Sequence, residues 1–562
     1  MSRALTGHNR AAKNEEAIRL EETSLSTDTG LETLDYAVII LYMISTFGIA
    51  VWFGRRQKDT DDFFVGGRRM PWFAVGLSIL ATLFSTLSYL GGPGEMIKHG
   101  IALFIGNLAI PFSMTVVFFL WIPFFMRLRV TSAYEYLERR FNYYVRLTGA
   151  SLFILLRLGW MSMVVYAASL ALDRVKGDDI VWLAGPDIYW WIFGVGVFAA
   201  IYTSVGGIQA MIWTDVLQCC LLLTGVLMTI FYIAIVDHTG PVDWWNTAAN
   251  HTPNHVAPPF FSWDVTVRNT IVWVVLGNFF WTICTHGSDQ VVLQRYFSTA
   301  SQKAARRSYL INVGVDLTMS SLLSLCGLAL LAFYLKHHER LPEGWTAVGA
   351  ADKLFPHFLG HQLPTGCAGL IIAAFICDAM QTLETGVNSI TAVITSDIVP
   401  RLRQGRPRVL SELTFARLMT VLITAVVTCS AYIVTRIAIV NDLTLISMMP
   451  KFFNLIVGPL AALFVIGMFL PRSTARSAVP AVIAGLTVAI FWSWYGTIFG
   501  VKEEHCPTPF LAIAVPWATT VGLAFLLSLL VERGGPHPGR HFTWFAVVRG
   551  PAAEEAQGGS AA

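Results

Sequence analysis

The sequence predicts an all-α membrane protein of about thirteen transmembrane helices, and three observations carry that prediction. Of 562 residues, 55% are hydrophobic and only 13% are charged, about half the charged fraction of a soluble chain. The apolar residues fall in long runs, and a run of about 20 spans the ~30 Å hydrocarbon layer as a helix. Lys and Arg gather in alternate connections between the runs, the bias that sets membrane orientation.

Residues 1–33 are polar, mixed in charge and without an apolar segment, so they form neither a signal peptide nor a span. Thirteen hydrophobic segments follow, at roughly 34–54, 70–92, 101–126, 147–172, 187–206, 208–236, 268–294, 308–335, 364–398, 411–437, 442–470, 477–499 and 509–531. The connections after odd-numbered segments are basic: Arg55, Arg56, Lys58, Arg68 and Arg69 in one, Arg127, Arg129, Arg139, Arg140 and Arg146 in the next. With the C-terminal tail they hold 23 of the 39 Lys and Arg, whereas the long loop 237–267 holds none. This places the N-terminus outside and the C-terminus in the cytoplasm of a cell membrane. The eight cysteines include no C-x-x-C pair and mostly lie inside apolar runs, which argues for small packing residues over a disulfide or zinc framework.

Two of the spans are irregular. The second carries Gly91-Gly92-Pro93-Gly94 directly after Ser85, Thr86 and Ser88; the seventh is interrupted by Thr285-His286-Gly287-Ser288-Asp289. Such clusters free backbone groups that lipid cannot satisfy, and paired breaks in two halves of a chain point to a transporter's ion and substrate site. These two are five spans apart, as expected if spans 2–6 and 7–11 are inverted repeats. The alternative is a pair of glycine kinks that help helices pack.

At these positions and four others the chain resembles the sodium/solute symporter family, the carriers of sugars, proline, vitamins, monocarboxylates and sialic acid. The resemblance runs from about Asp35 to Pro471. It rests on Phe63-Phe64-Val65-Gly66-Gly67-Arg68 with Pro71-Trp72, and on Trp213-Thr214-Asp215-Val216-Leu217-Gln218. Asp289-Gln290 with Gln294-Arg295-Tyr296, Met380 through Ser389, and Gly458-Pro459-Leu460 with Gly467-Met468-Phe469 complete it. It implies a core of two inverted five-helix repeats, 70–236 and 268–470, with alternating access around the two broken helices. A peripheral helix at 34–54 precedes the core. Two more within 477–531 and a cytoplasmic tail at 532–562 follow it.

The resemblance also implies a coupling ion, sodium. Its principal site falls on the carbonyls of Ala81 and Phe84 and on Asp378, Gln381 and Thr382. Here the chain departs from the family, which usually has a Ser-Thr or Ser-Ser pair and a small residue one turn earlier. Positions 378 and 382 are i and i+4 and share a helix face. Asp378 could ligate sodium directly, could take up a proton and couple transport to protons, since burial disfavours the charged form, or could pair with Lys451 or Arg157. A bare intramembrane acid is expensive in each case. Asp215 is a second candidate sodium ligand; its other reading is an acid complementing a helix N-terminus. Among Glu384, Asp289 and Asp316, one or two are expected to pair with Arg295 or Arg417.

For the substrate, the candidate lining is Ser85, Ser88 and Tyr89, Asn107, span four around Trp160 and Tyr166, and the break near Asp289. The family's sugar carriers have Gln and Glu where this chain has Ser88 and Asn107, so a glucose-like site is not supported. Arg157 and Lys451 lie well inside spans, where each could meet a substrate carboxylate or be held in an internal ion pair. A small organic anion is therefore favoured over a polyol or sugar. No nucleotide-binding, metalloprotease or serine-hydrolase motif and no metal-spaced Cys/His cluster is present, so no enzyme or nucleic-acid partner is expected. A channel or membrane sensor is the competing class. The expected partners are the solute, sodium and the lipid bilayer, with monomer and homo-oligomer both open.

Overall fold

The computed structural model describes residues 33–56, 60–84, 86–128, 130, 132–175, 187–251, 258–399, 401, 411–440, 450–502, 505–532 and 538–550. Within them the chain is helical. The only β-type pairing among the described residues is an isolated parallel bridge between Met70 and Thr299.

Helix α1, Thr33–Gly54, has 22 residues and so spans about 33 Å. The first broken span is α2, Trp72–Leu83, followed by α3, Thr86–His99. Next come α4, Gly106–Leu128, and α5, Tyr143–Val175. Residues 187–237 form two helices, α6 at 187–206 and α7, Gly207–Asp237, parted at Gly207 with φ 62° and ψ 179°. That conformation is open to glycine almost alone, because a Cβ would clash there. The second broken span is α8, Ile271–Ser288, with α9, Gln290–Phe297. It is followed by α10, Gln302–Lys336, α11, Ala351–His361, and α12, Cys367–Val393. The last four are α13, Glu412–Val440, α14, Leu455–Phe469, α15, Ala475–Ser493, and α16, Ala514–Leu530.

Ten helices among the described residues are long and apolar enough to cross a bilayer, and the bent pair α2–α3 makes an eleventh. The two remaining expected segments coincide with α6 and α12. Large apolar side chains face outward along the spans, among them Leu41, Phe112, Ile433 and Leu530, each more than half exposed. In water such a surface would aggregate; in a bilayer it meets lipid. The interior instead relies on small residues that let backbones approach. A Cβ on Gly76 of α2 would stand 2.5 Å from the Ser308 carbonyl of α10.

The first break lies elsewhere than the sequence suggests, and the second narrows to the last residue of the expected cluster. Gly91 through Gly94 are inside helix α3, and the first break is at Phe84, whose φ −99° and ψ 105° are extended. Thr285 through Ser288 are still helical, and the second break is the single residue Asp289. The reason is local: the hydroxyls of Thr285 and Ser288 donate to the carbonyls of Trp281 and Cys284, each at 2.8 Å, so these polar side chains are satisfied within the helix. Asp289 then caps α9 by accepting from the Val291 N–H at 3.1 Å, a role its type favours.

Candidate functional site

Two buried polar clusters surround the breaks. The first gathers side chains from four helices about the guanidinium of Arg295 on α9. Arg295 donates from Nε to Ser78 Oγ of α2 at 2.6 Å, from Nη2 to Asp215 of α7 and Thr385 of α12, both at 3.0 Å, and from Nη1 to the Val291 carbonyl at 3.1 Å. Ser78 also donates to Asp215. Asp215 is therefore ion-paired in mid-helix and is not a helix-end acid. Arg295, expected to meet Glu384, Asp289 or Asp316, takes Asp215 as its hydrogen-bonded partner. Glu384 stays within electrostatic range of it.

This cluster leaves acceptors free. Asp215 Oδ1, Gln381 Oε1 and Thr382 Oγ1 are buried and make no hydrogen bond of ordinary geometry, although the Gln381 amide lies within interaction range of Asp215. Helix α2, on which Ser78 sits, ends one turn later, so the carbonyls of Ala81 and Phe84 fall at its open C-terminal end, where carbonyls lack helical partners. At that end the Phe84 N–H donates to the Leu80 carbonyl at 2.8 Å. Buried, unsatisfied oxygens of this kind suit a hard monovalent cation. Ser85 and the side chain of Asp378 lie outside the described residues.

The second cluster is a buried ion pair in an aromatic setting. Arg157 of α5 pairs with Asp289 at the second break, Nε to Oδ1 at 3.2 Å and Nη2 to Oδ2. Both are almost wholly buried, at 3% and 0% exposure. The guanidinium lies 5.8 Å from the centre of the Phe453 ring. Phe453 in turn meets Trp160 at 4.9 Å and Trp281 at 4.8 Å. Trp160 Nε1 is buried without a hydrogen-bond partner. Phe453 belongs to a π-helical turn, Pro450–Asn454, an irregularity frequent at functional sites. Lys451 points its ammonium at the Trp494 ring, 5.2 Å away.

Around the two breaks the described buried charges are Asp215, Asp289, Glu384, Arg157 and Arg295.

The other expected lining residues are less central. Tyr89 is buried with its hydroxyl donating to the Leu222 carbonyl at 2.9 Å and its ring 5.4 Å from Phe355 of α11. Asn107 donates to Ser320 Oγ at 3.0 Å. Ser88 is half-buried, and Tyr166 is buried beside α5's core. Ser78, Thr385, Trp281 and Phe453 were not singled out by sequence reasoning. Helical spacing could have found the first two, since Ser78 is three residues before Ala81 and Thr385 four after Gln381.

The motif residues flanking Asp289 are mostly clamps. Gln290 Oε1 accepts from the Ala133 N–H at 2.8 Å. Gln294 donates to the Phe64 carbonyl and to Asn388 Oδ1 at 3.1 Å, and accepts from Ser389 Oγ at 2.8 Å. With Arg295 committed as described, every polar motif side chain from 290 to 295 binds one part of the fold to another.

A profile of the sodium:solute symporter family matches residues 63–485. A sodium/sialic acid symporter of Aliivibrio fischeri is 31% identical over 460 residues, covering 82% of this chain and 87% of that one. The human sodium/iodide cotransporter is 30% identical over 480 residues, covering 84% and 71%. Among solved structures, a Na+-coupled sialic acid symporter in a substrate-bound outward-open state superposes with a TM-score of 0.75 at 28% identity. It covers 90% of this chain and 99% of that one.

Proposed function

Because the chain belongs to the sodium:solute symporter family and is a sodium-coupled solute transporter of the membrane, we propose that it imports a small organic anion. The observation that carries this reading is the buried Arg157–Asp289 pair walled by Trp160, Trp281 and Phe453. A substrate carboxylate reaching the second break would compete with Asp289 for the fork of Arg157, and bidentate pairing is what that fork offers. The aromatic rings supply apolar surface for the remainder of a small solute. Relatives named for sialic acid and iodide carry anions too.

Sodium enters the same reading as co-substrate. The carbonyls of Ala81 and Phe84 with Gln381 and Thr382 form one proposed site, with Asp378 one turn away on α12. Asp215 forms a second with the acceptors the Arg295 cluster leaves free. Sodium bound there would be held by these buried oxygens and would favour the arrangement in which α2, α7, α9 and α12 are joined. Repeats 70–236 and 268–470 then rock about the breaks, with the N-terminus outside and the C-terminus in the cytoplasm. The chain does not act as an enzyme.

The test is uptake into liposomes containing the purified protein, using labelled sialic acid, lactate, iodide and a polyol. Each is measured with an inward sodium gradient and with potassium in its place, at pH 6 and pH 8. Sodium-driven entry of an anion that is lost in Arg157→Ala supports the reading. Sodium-driven entry of the polyol, with every anion excluded, overturns it.

A further inference from the structure

Helix α11 lies between two spans and packs on α3, the second half of the first broken span, with Phe355 against Tyr89. It carries two histidines one helical turn apart, His357 and His361, whose rings stand 4.3 Å apart, centre to centre. Their spacing is that of the i, i+4 histidines that hold zinc on one face of a helix. The hydrogen bonds fix both tautomers, because each acceptor is a carbonyl and each ring must therefore donate. His357 donates from Nε2 to the Arg340 carbonyl at 3.2 Å, and His361 from Nδ1 to the His357 carbonyl at 3.0 Å. That leaves His357 Nδ1 and His361 Nε2 as bare lone pairs. A ring whose other N–H is held by a carbonyl is the usual state of a metal-ligating histidine.

The geometry points to a bidentate site for a divalent transition metal such as Zn2+ or Cu2+ at His357 and His361, on the helix that covers α3. Metal–nitrogen bonds are about 2.0 Å long, and His361 is exposed and so free to turn toward His357. Among the described residues no third histidine, cysteine or carboxylate completes a larger cluster, so water fills the remaining positions. Two imidazoles without a carboxylate favour zinc, copper or nickel over magnesium or calcium. Two charged side chains beside the pair are engaged elsewhere: Arg340 donates to Gln362 at 2.8 Å, and Lys353 lies over the Trp345 ring at 5.3 Å. A metal on Nδ1 also strengthens the Nε2–H bond to the Arg340 carbonyl, which fastens α11 to the turn at 338–340.

The site is tested by titrating tag-free purified protein with Cu2+ and following its electron paramagnetic resonance, with zinc as competitor. The wild-type chain is expected to bind one more equivalent with a two-imidazole signature than either His361→Ala or His357→Ala. Trp345, its ring 5.8 Å from that of His357, supplies a second readout. Copper should quench part of the emission in the wild type, and that part should vanish in Trp345→Phe and in His361→Ala. Equal copper stoichiometry and equal quenching in the wild type and both histidine variants would overturn the assignment.

Discussion

Removing Arg157 alone should destabilise the protein far more than removing it together with Asp289. The pair is bidentate and nearly inaccessible to solvent. Arg157→Ala leaves the Asp289 carboxylate with the Val291 N–H but without its counter-ion, a buried and uncompensated charge. Breaking such a pair costs about 3–5 kcal/mol, whereas replacing both partners by apolar groups is often neutral or better. Arg157→Met with Asp289→Leu should therefore recover most of the loss, although Leu gives up the cap on α9, worth about 1 kcal/mol. The resulting coupling is about 2–4 kcal/mol. Arg157→Lys keeps the charge but loses the fork and should fall between the wild type and Arg157→Ala. The assay is apparent melting temperature in detergent, with the wild type, Arg157→Met, Asp289→Leu and the double variant purified identically in sodium-free buffer. The expected order is wild type, double variant, then either single variant. Additive single effects, with coupling under about 0.5 kcal/mol, would show that the two side chains do not act as one buried pair.

Sodium, with potassium as control, should raise the melting temperature of the wild type. Thr382→Ala should weaken that response by about fivefold, since one hydroxyl is worth ~1 kcal/mol, and Asp215→Asn should weaken it further; an unchanged sodium titration in both variants refutes the proposed ligands. Gly207→Ala should cost about 1–3 kcal/mol by forcing a Cβ into a glycine-only conformation, read as a lower melting temperature, and a neutral result would mean that α6 and α7 are not parted there. On the short helix Glu135–Arg140, Glu138 pairs with Arg146 and Arg401. Burial works against its carboxylate, but the two guanidiniums outweigh it and hold it below the ordinary glutamate value. Its contribution is thus present above about pH 4.3 and lost as pH falls through the lower folded value. Glu138→Gln should remove up to ~1 kcal/mol at pH 7 and progressively less as the pH falls below about 4.3, and a loss that does not change with pH would refute the pairing.

The spans were legible because their signal is a sum over some 20 residues, which a few polar positions cannot erase. The second break was legible as the last residue of its cluster, the first only to within about two or three turns. Gly91 through Gly94 and Thr285 through Ser288 look like helix breakers as residue types, yet the hydroxyls of Thr285 and Ser288 find carbonyls inside the helix. What a polar side chain bonds to is decided by geometry that composition does not record. The same holds for partners. That Arg157 and Asp289 are buried could be read from their place in apolar runs, but that they meet depends on how α5 crosses the second break. Arg295 was expected to meet an acid, and it does, but the acid is Asp215, 80 residues back on another helix. Trp281 and Phe453 were invisible because a membrane chain with 18 Trp and 37 Phe gives no reason to single out either.

The hydrogen bond from Arg295 to Ser78 joins residues 217 positions apart, and that distance is also a delay. At about 5–20 residues per second, roughly 11–43 s of synthesis separate the appearance of Ser78 from that of its partner. Through that interval the first half of the chain lacks the guanidinium that clamps Ser78, and Asp215, made 80 residues before Arg295, waits about 4–16 s of it for its partner. Nascent chains halted between residues 240 and 290 should therefore expose this half to proteases or chaperones, and release to residue 300 should end the exposure.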